Sequence, residues 1–99
     1  MLAINQFECG PTLTHATATA AYRAGVARIE AGATQVDCAP LRQFDSAALA
    51  VLLGWRRVAQ GRGVTLQFLN FPAHLTSLAG AYGIESLLAD SRHSIAVPA

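Results

Sequence analysis

The 99 residues contain no lysine. All seven cations are arginines, set against six carboxylates for a net charge of +1. That absence removes a phosphate-loop lysine and a Schiff-base nucleophile from consideration. The arginines are scattered, with Arg56–Arg57 the only adjacent pair, so no basic stripe exists to neutralise a run of nucleic-acid phosphates. Charge of either sign is scarce: 13% of residues are charged and 53% are hydrophobic. The composition is therefore far from a disordered one, and the polar coat is thin for so small a body. Part of such a surface is expected to lie against another protein.

Cysteine is nearly absent too. Cys9 and Cys38 make neither a disulfide framework nor a CxxC motif, and read as small core residues on neighbouring strands, kept reduced in a cytosol. His15, His74 and His93 stand far apart, none with a carboxylate or cysteine at ligand spacing, and read as surface or cap residues. Glu8 and Asp37 fall on strands without a partner carboxylate. The expectation is no catalytic residue, no metal and no cofactor. The start of the chain lacks the cationic and apolar runs of a signal peptide, and the longest nearly apolar stretch, Ala47–Trp55, is too short to span a bilayer. A cytoplasmic protein is expected.

The length is that of one domain, residues 1–99, with a core over about 2–89 and a tail over 90–99. Leu2–Cys9 alternates and predicts a strand broken by Gly10–Pro11. From Thr14 to Ala31 the chain is alanine-rich, with Ala18, Tyr22, Val26 and Ile29 forming one helical stripe and Gly32 a stop. Thr34–Ala39 predicts a second strand ended by Pro40, and Pro40–Phe44 a turn. Asp45–Ser46 are N-cap types ahead of a helix running to Gly61, and Val64–Leu69 is a third strand. Pro72 opens a third helix with Leu75, Leu78, Ala79 and Tyr82 as its stripe and Gly83 as its stop; 84–89 reads as a further turn or short helix. The order β-α-β-α-β-α predicts a mostly parallel sheet.

The second helix is unusual. Between Ala47 and Trp55 the only polar side-chain group is the indole N–H, so this half is apolar all round. An ordinary surface helix shows one apolar stripe. Two layers built from three short strands and three helices hardly enclose a helix on every side, so one face is expected to meet a partner.

A strand, a turn and then Phe-Asp-Ser-Ala-Ala-Leu-Ala-Val-Leu-Leu at 44–53 resembles the signature loop and helix of STAS domains, the fold of the anti-sigma-factor antagonists. Val64–Gln67, Asn70, Leu78–Ala79 and Tyr82–Ile84 are similar to the closing strand and helix of that family. The likeness covers roughly 12–89 and is greatest to its MlaB-type branch, the STAS subunits of phospholipid-transport ABC complexes. It implies an α/β fold with a small mixed or mostly parallel sheet and the helices on one face. Many members begin with a two-strand hairpin; only one strand fits before Leu13, so the family's first strand is expected to be missing.

The resemblance also implies a partner, the cytoplasmic ATPase (MlaF-like) of the complex, and a location beside the inner membrane, with a homodimer left open for the isolated chain. It assigns the contact to Asp45, Ser46, Ala47, Ala48, Leu49 and Val51. In the antagonists the serine or threonine matching Ser46 is the phosphorylation site, which makes an anti-sigma-factor antagonist the first rival function and a small enzyme the second. From the residues alone, Ser46 or Asp45 is a helix cap, worth about 1 kcal/mol at a typical site, and Trp55 is a core residue before it is an interface residue. Docking through this helix requires Ser46, Ala47, Ala48 and the outward members of Ala50–Val51 to be at least partly exposed.

Overall fold

The computed structural model describes residues 6–84. Its elements are β1 (Gln6–Glu8), β2 (Thr12–Leu13), α1 (Ala18–Glu30), β3 (Gln35–Asp37), β4 (Gln43–Phe44), α2 (Ser46–Gly61), β5 (Gln67–Leu69) and α3 (Ala73–Ala81). The expectations for 2–5, for 85–89 and for the 90–99 tail fall outside the described residues.

The strands make two parallel sheets, a three-stranded one in the order β1-β3-β5 and a two-stranded one of β2 with β4. Phe7, Val36 and Phe68 lie side by side in register and all three are buried. The alternate positions carry Gln6, Gln35 and Gln67 in one row and Glu8, Asp37 and Leu69 in the next, none of them buried. Side chains alternate across a strand, so one face is apolar and the other polar. The Gln35 amide donates to the Gln67 carbonyl oxygen at 2.9 Å across that polar face. The helices therefore group on the apolar face, as the resemblance implied.

All three helices stop in the same way. Gly32, Gly63 and Gly83 follow the C-caps with φ of +112°, +77° and +71°. In each case the next amide reaches back to a carbonyl in the last turn: Ala33 to Arg28, Val64 to Ala59 and Ile84 to Ala79. This is the Schellman arrangement, in which a left-handed glycine lets the chain satisfy the final carbonyls. The helix stops were the most legible punctuation in the sequence.

Four local expectations need correction. Two strands precede α1, not one, although β1 pairs with β3 and β2 with β4, so they form no hairpin. The segment read as a turn, 40–44, contains β4, whose partner β2 is two residues long and shows no periodicity. Helix α1 begins at Ala18 because Thr14–Thr17 closes on itself, the Thr14 amide donating to Thr17 Oγ1 at 3.0 Å and the Thr17 amide to the Thr14 carbonyl at 2.9 Å. The predicted stripes also shift: in α1 the buried residues are Gly25 and Ile29, while Tyr22 is exposed, and Tyr82, the C-cap of α3 and not part of its stripe, is 57% exposed.

Candidate functional site

The start of α2 is fixed by one side chain. Asp45 caps the helix in an extended conformation, Oδ1 accepting from the Ala47 amide at 2.9 Å and Oδ2 from the His15 amide at 3.0 Å. Its own amide donates to the Leu13 carbonyl at 3.3 Å, continuing the β2–β4 pairing. One carboxylate thus joins the segment after β2 to the first turn of α2. The cap is Asp45 and not Ser46, which resolves the choice the sequence left open. The His15 amide first, and the Ala47 amide second, hold the Asp45 carboxyl below its ordinary pKa, since both donors favour the charged form.

The six residues assigned to partner contact divide into two groups. Asp45 and Ser46 are exposed and Ala47 is half-buried. Ala48, Leu49 and Val51 are 0%, 2% and 4% exposed and belong to the core. The expectation that Ala48 and Val51 reach the surface is therefore wrong. The reason is that α2 is enclosed more fully than its two-layer setting suggested. Leu52, Trp55 and Ala59 are also buried, α1 packs along one flank, and Leu53 and Val58 are half-covered. The all-round apolar sequence of this helix is mostly explained inside the domain.

What remains outward at the helix start is small: Ser46 and Ala50 are exposed and Ala47 is half-buried, with Arg57, Gln60 and Gly61 exposed further along. These positions recur at helical spacing on one side. Of the pair Ala50–Val51, whose outward members were expected at the surface, the structure exposes Ala50 and buries Val51. The signal for this outward side was the recurrence of small residues at 46, 47 and 50, hidden by the equally small Ala48 on the buried side.

The far end of α2 is core. Trp55 is 1% exposed, its indole N–H donates to the Tyr22 carbonyl at 3.0 Å, and its ring meets Phe7 edge-on with centroids 5.2 Å apart. That excludes a rim role for Trp55. Arg56 is half-buried and Arg57 exposed.

An open cleft lies beside the Asp45 cap, with Thr12, Thr14, Arg42 and His74 on its walls. Arg42 and His74 face this cleft together with Asp45, and neither was linked to the cap by sequence. His15 contributes its backbone, not its ring, to the cap; His93 lies outside the described residues. Among the described residues no group of three or more His, Cys, Asp or Glu side chains gathers where a metal could bind. Nor is any helix there long and apolar enough to cross a membrane.

A one-faced parallel sheet carrying three helices, with a rigidly capped helix start turned outward, defines a small α/β interaction module. The chain belongs to the MlaB-type STAS domain family: residues 11–89, about four fifths of its length, match the family described as "Mlab, STAS domain". Domains of this family are in general non-catalytic interaction modules. No curated protein and no solved structure matches the chain.

Proposed function

We propose that this domain is an accessory subunit of a phospholipid-transport ABC complex and docks on its ATPase through the outward arc at the start of α2. The observation that carries the reading is the juxtaposition of a hydrogen-bonded cap and small side chains. Asp45 fixes the first turn through two hydrogen bonds, and Ser46, Ala47 and Ala50 present almost no bulk above it. Such a surface lets a partner's backbone approach closely with little side-chain entropy to lose. Membership of the MlaB-type family supplies the kind of partner. In this setting the domain is held at the inner membrane only through that partner.

The test is co-purification with the ATPase subunit from the same organism, followed by binding measurements on Ala47→Glu and Ala50→Glu. Ala50 is exposed, so Ala50→Glu leaves thermal stability nearly unchanged. A carboxylate desolvated in a close apolar contact lowers affinity on the order of 100-fold. Normal binding by both folded variants would remove α2 from the docking face.

The rival reading, an anti-sigma-factor antagonist switched by phosphorylation of Ser46, is favoured by one observation. Ser46 is exposed and, among the described residues, its hydroxyl has no hydrogen-bond partner because Asp45 does the capping. A phosphate there gains the helix N-terminus and is opposed by the neighbouring Asp45. Ser46→Asp separates the two: weaker ATPase binding supports docking, while a switch in affinity for an anti-sigma factor supports the rival.

A further inference from the structure

Cys9 and Cys38 are the only ionisable side chains in the buried core of the described residues, and both are free thiols. The β1–β3 register pairs Phe7 with Val36 and Glu8 with Asp37, and the Cys9 amide extends it by donating to the Asp37 carbonyl at 3.2 Å. One step further places Cys9 beside Cys38. Neighbouring strands run roughly 4.8 Å apart, inside the Cα window of about 4.4–6.8 Å that a disulfide spans. Alternation puts both side chains on the same apolar face as Phe7 and Val36, so the two thiols face one another.

The pair is also reachable. Cys9 lines a cavity of about 170 Å³ between β1, α1 and the Trp55 ring, with Arg28 at its wall. Cys38 lies behind it, fully buried. Such a cavity admits a hydroperoxide-sized molecule to one sulphur before the other.

We propose that Cys9 and Cys38 form a reversible modification site, a dithiol that hydrogen peroxide converts into an intramolecular disulfide. The Cys9 thiolate attacks the peroxide, the O–O bond breaks, and the departing hydroxide takes up a proton to leave as water. Cys9 is then a sulfenic acid. The Cys38 sulphur attacks Cys9 Sγ, the S–O bond breaks, and a second water leaves. The two thiols lose two electrons, which reduce one peroxide to two waters. The electrostatics agree with this order: the Cys38 thiol beside it lowers the Cys9 pKa, whereas the neighbouring Cys9 sulphur and burial push Cys38 up.

The bond sits at the root of the candidate docking loop. The segments leaving Cys9 and Cys38 rejoin where the Arg42 and Gln43 amides donate to the Pro11 carbonyl at 2.8 and 3.0 Å, just before Asp45. A disulfide there ties the roots of both segments together.

Reduced, folded full-length chain is treated with stoichiometric hydrogen peroxide and followed by intact mass, thiol titration and peptide mapping. The expected result is loss of both thiols and of ~2 Da per chain, a linked Cys9–Cys38 peptide, and full reversal by a dithiol reductant. In Cys38→Ser the product stops at a sulfenic acid on Cys9 that dimedone traps, and Cys9→Ser reacts at least about tenfold more slowly. Thiols that react only in denaturant, or that link only between chains, overturn the proposal. So does equal reactivity of the two single variants, which would show that the cavity does not select Cys9. The wild-type mass and mapping need no variant to fold.

Discussion

At its Trp55 end α2 is held by shape, and at its Asp45 end by hydrogen bonds. The indole is enclosed by Phe7, by the backbone of α1 and by Gly25, where a Cβ would overlap the ring. The Asp45 end has a carboxylate and two amides at the surface, beside an open cleft. A close-packed site responds to one added methyl, since interiors have almost no free volume. A hydrogen-bonded rim is insensitive to volume and sensitive to the number of acceptors. The difference bears on the proposed docking face: the outward residues at the Asp45 end carry no packing duty, whereas Trp55 and Ala59 toward the other end are committed to the core.

The sharpest way to break this comparison is Gly25→Ala. Alanine is the better helix former by about 1 kcal/mol, so a loosely packed site would be stabilised. Here the new methyl meets the Trp55 indole, which cannot withdraw because its N–H is bound to the Tyr22 carbonyl and its edge to Phe7. Overpacking of this kind costs about 1–3 kcal/mol or more, and the expected net result is a fall in Tm of roughly 10 °C in a domain of this size. An unchanged or raised Tm by calorimetry would show that the indole is not fixed.

How legible these two ends were follows from the same contrast. Asp45–Ser46 announced a helix start because capping is local chemistry, read within three residues. The glycine stops were legible for the same reason. Gly25 was not, because its role depends on a ring thirty residues away that no local pattern points to. The second acceptor bond of Asp45, to the His15 amide, was equally hidden. The buried or outward fate of Ala47, Ala48 and Ala50 was invisible in composition, since alanine suits either side of a helix; only the placement of α1 and the sheet separated them.

Next in size is the effect of reducing Asp45 to a single acceptor. Asp45→Asn keeps one oxygen and loses the other, and Asp45→Ala loses both, so Tm should fall in the order wild type, Asn, Ala, by roughly 5 °C at the last step from wild type. The carboxyl's folded pKa lies below its ordinary value of 3.8, mainly through the His15 amide and then the Ala47 amide. A depressed carboxyl contributes its stability in full above the unfolded value and loses it as pH falls through the folded one. Asp37, lowered by the Asn70 amide and then the Ala39 amide, acts in the same direction. The gap between wild type and Asp45→Asn should therefore be constant near neutrality and close progressively below about pH 4. A gap that persists through acid would show that the two amides bind the neutral acid equally well.

Gly54→Ala should have the smallest effect, and it tests the comparison by its contrast with Gly25. Both glycines lie in helices and both face an aromatic ring. A Cβ at Gly54 would fall 2.7 Å from Tyr22 Cε1, close enough that something must move. What must move here is the far end of a side chain that is 36% exposed, with no ring contact holding it among the described residues. A small rotation of the tyrosine toward solvent relieves the overlap at the loss of some apolar contact. Alanine meanwhile gains about 1 kcal/mol in helix propensity over glycine. The two effects nearly cancel, and the expected change in Tm is within roughly 3 °C of zero, in either direction. Because the Tyr22 ring covers Gly54, this variant tests the packing of α1 on α2 and not the docking face. A loss of stability as large as that of Gly25→Ala would show that Tyr22 is packed as rigidly as Trp55, and the distinction between the two ends of the helix would fail.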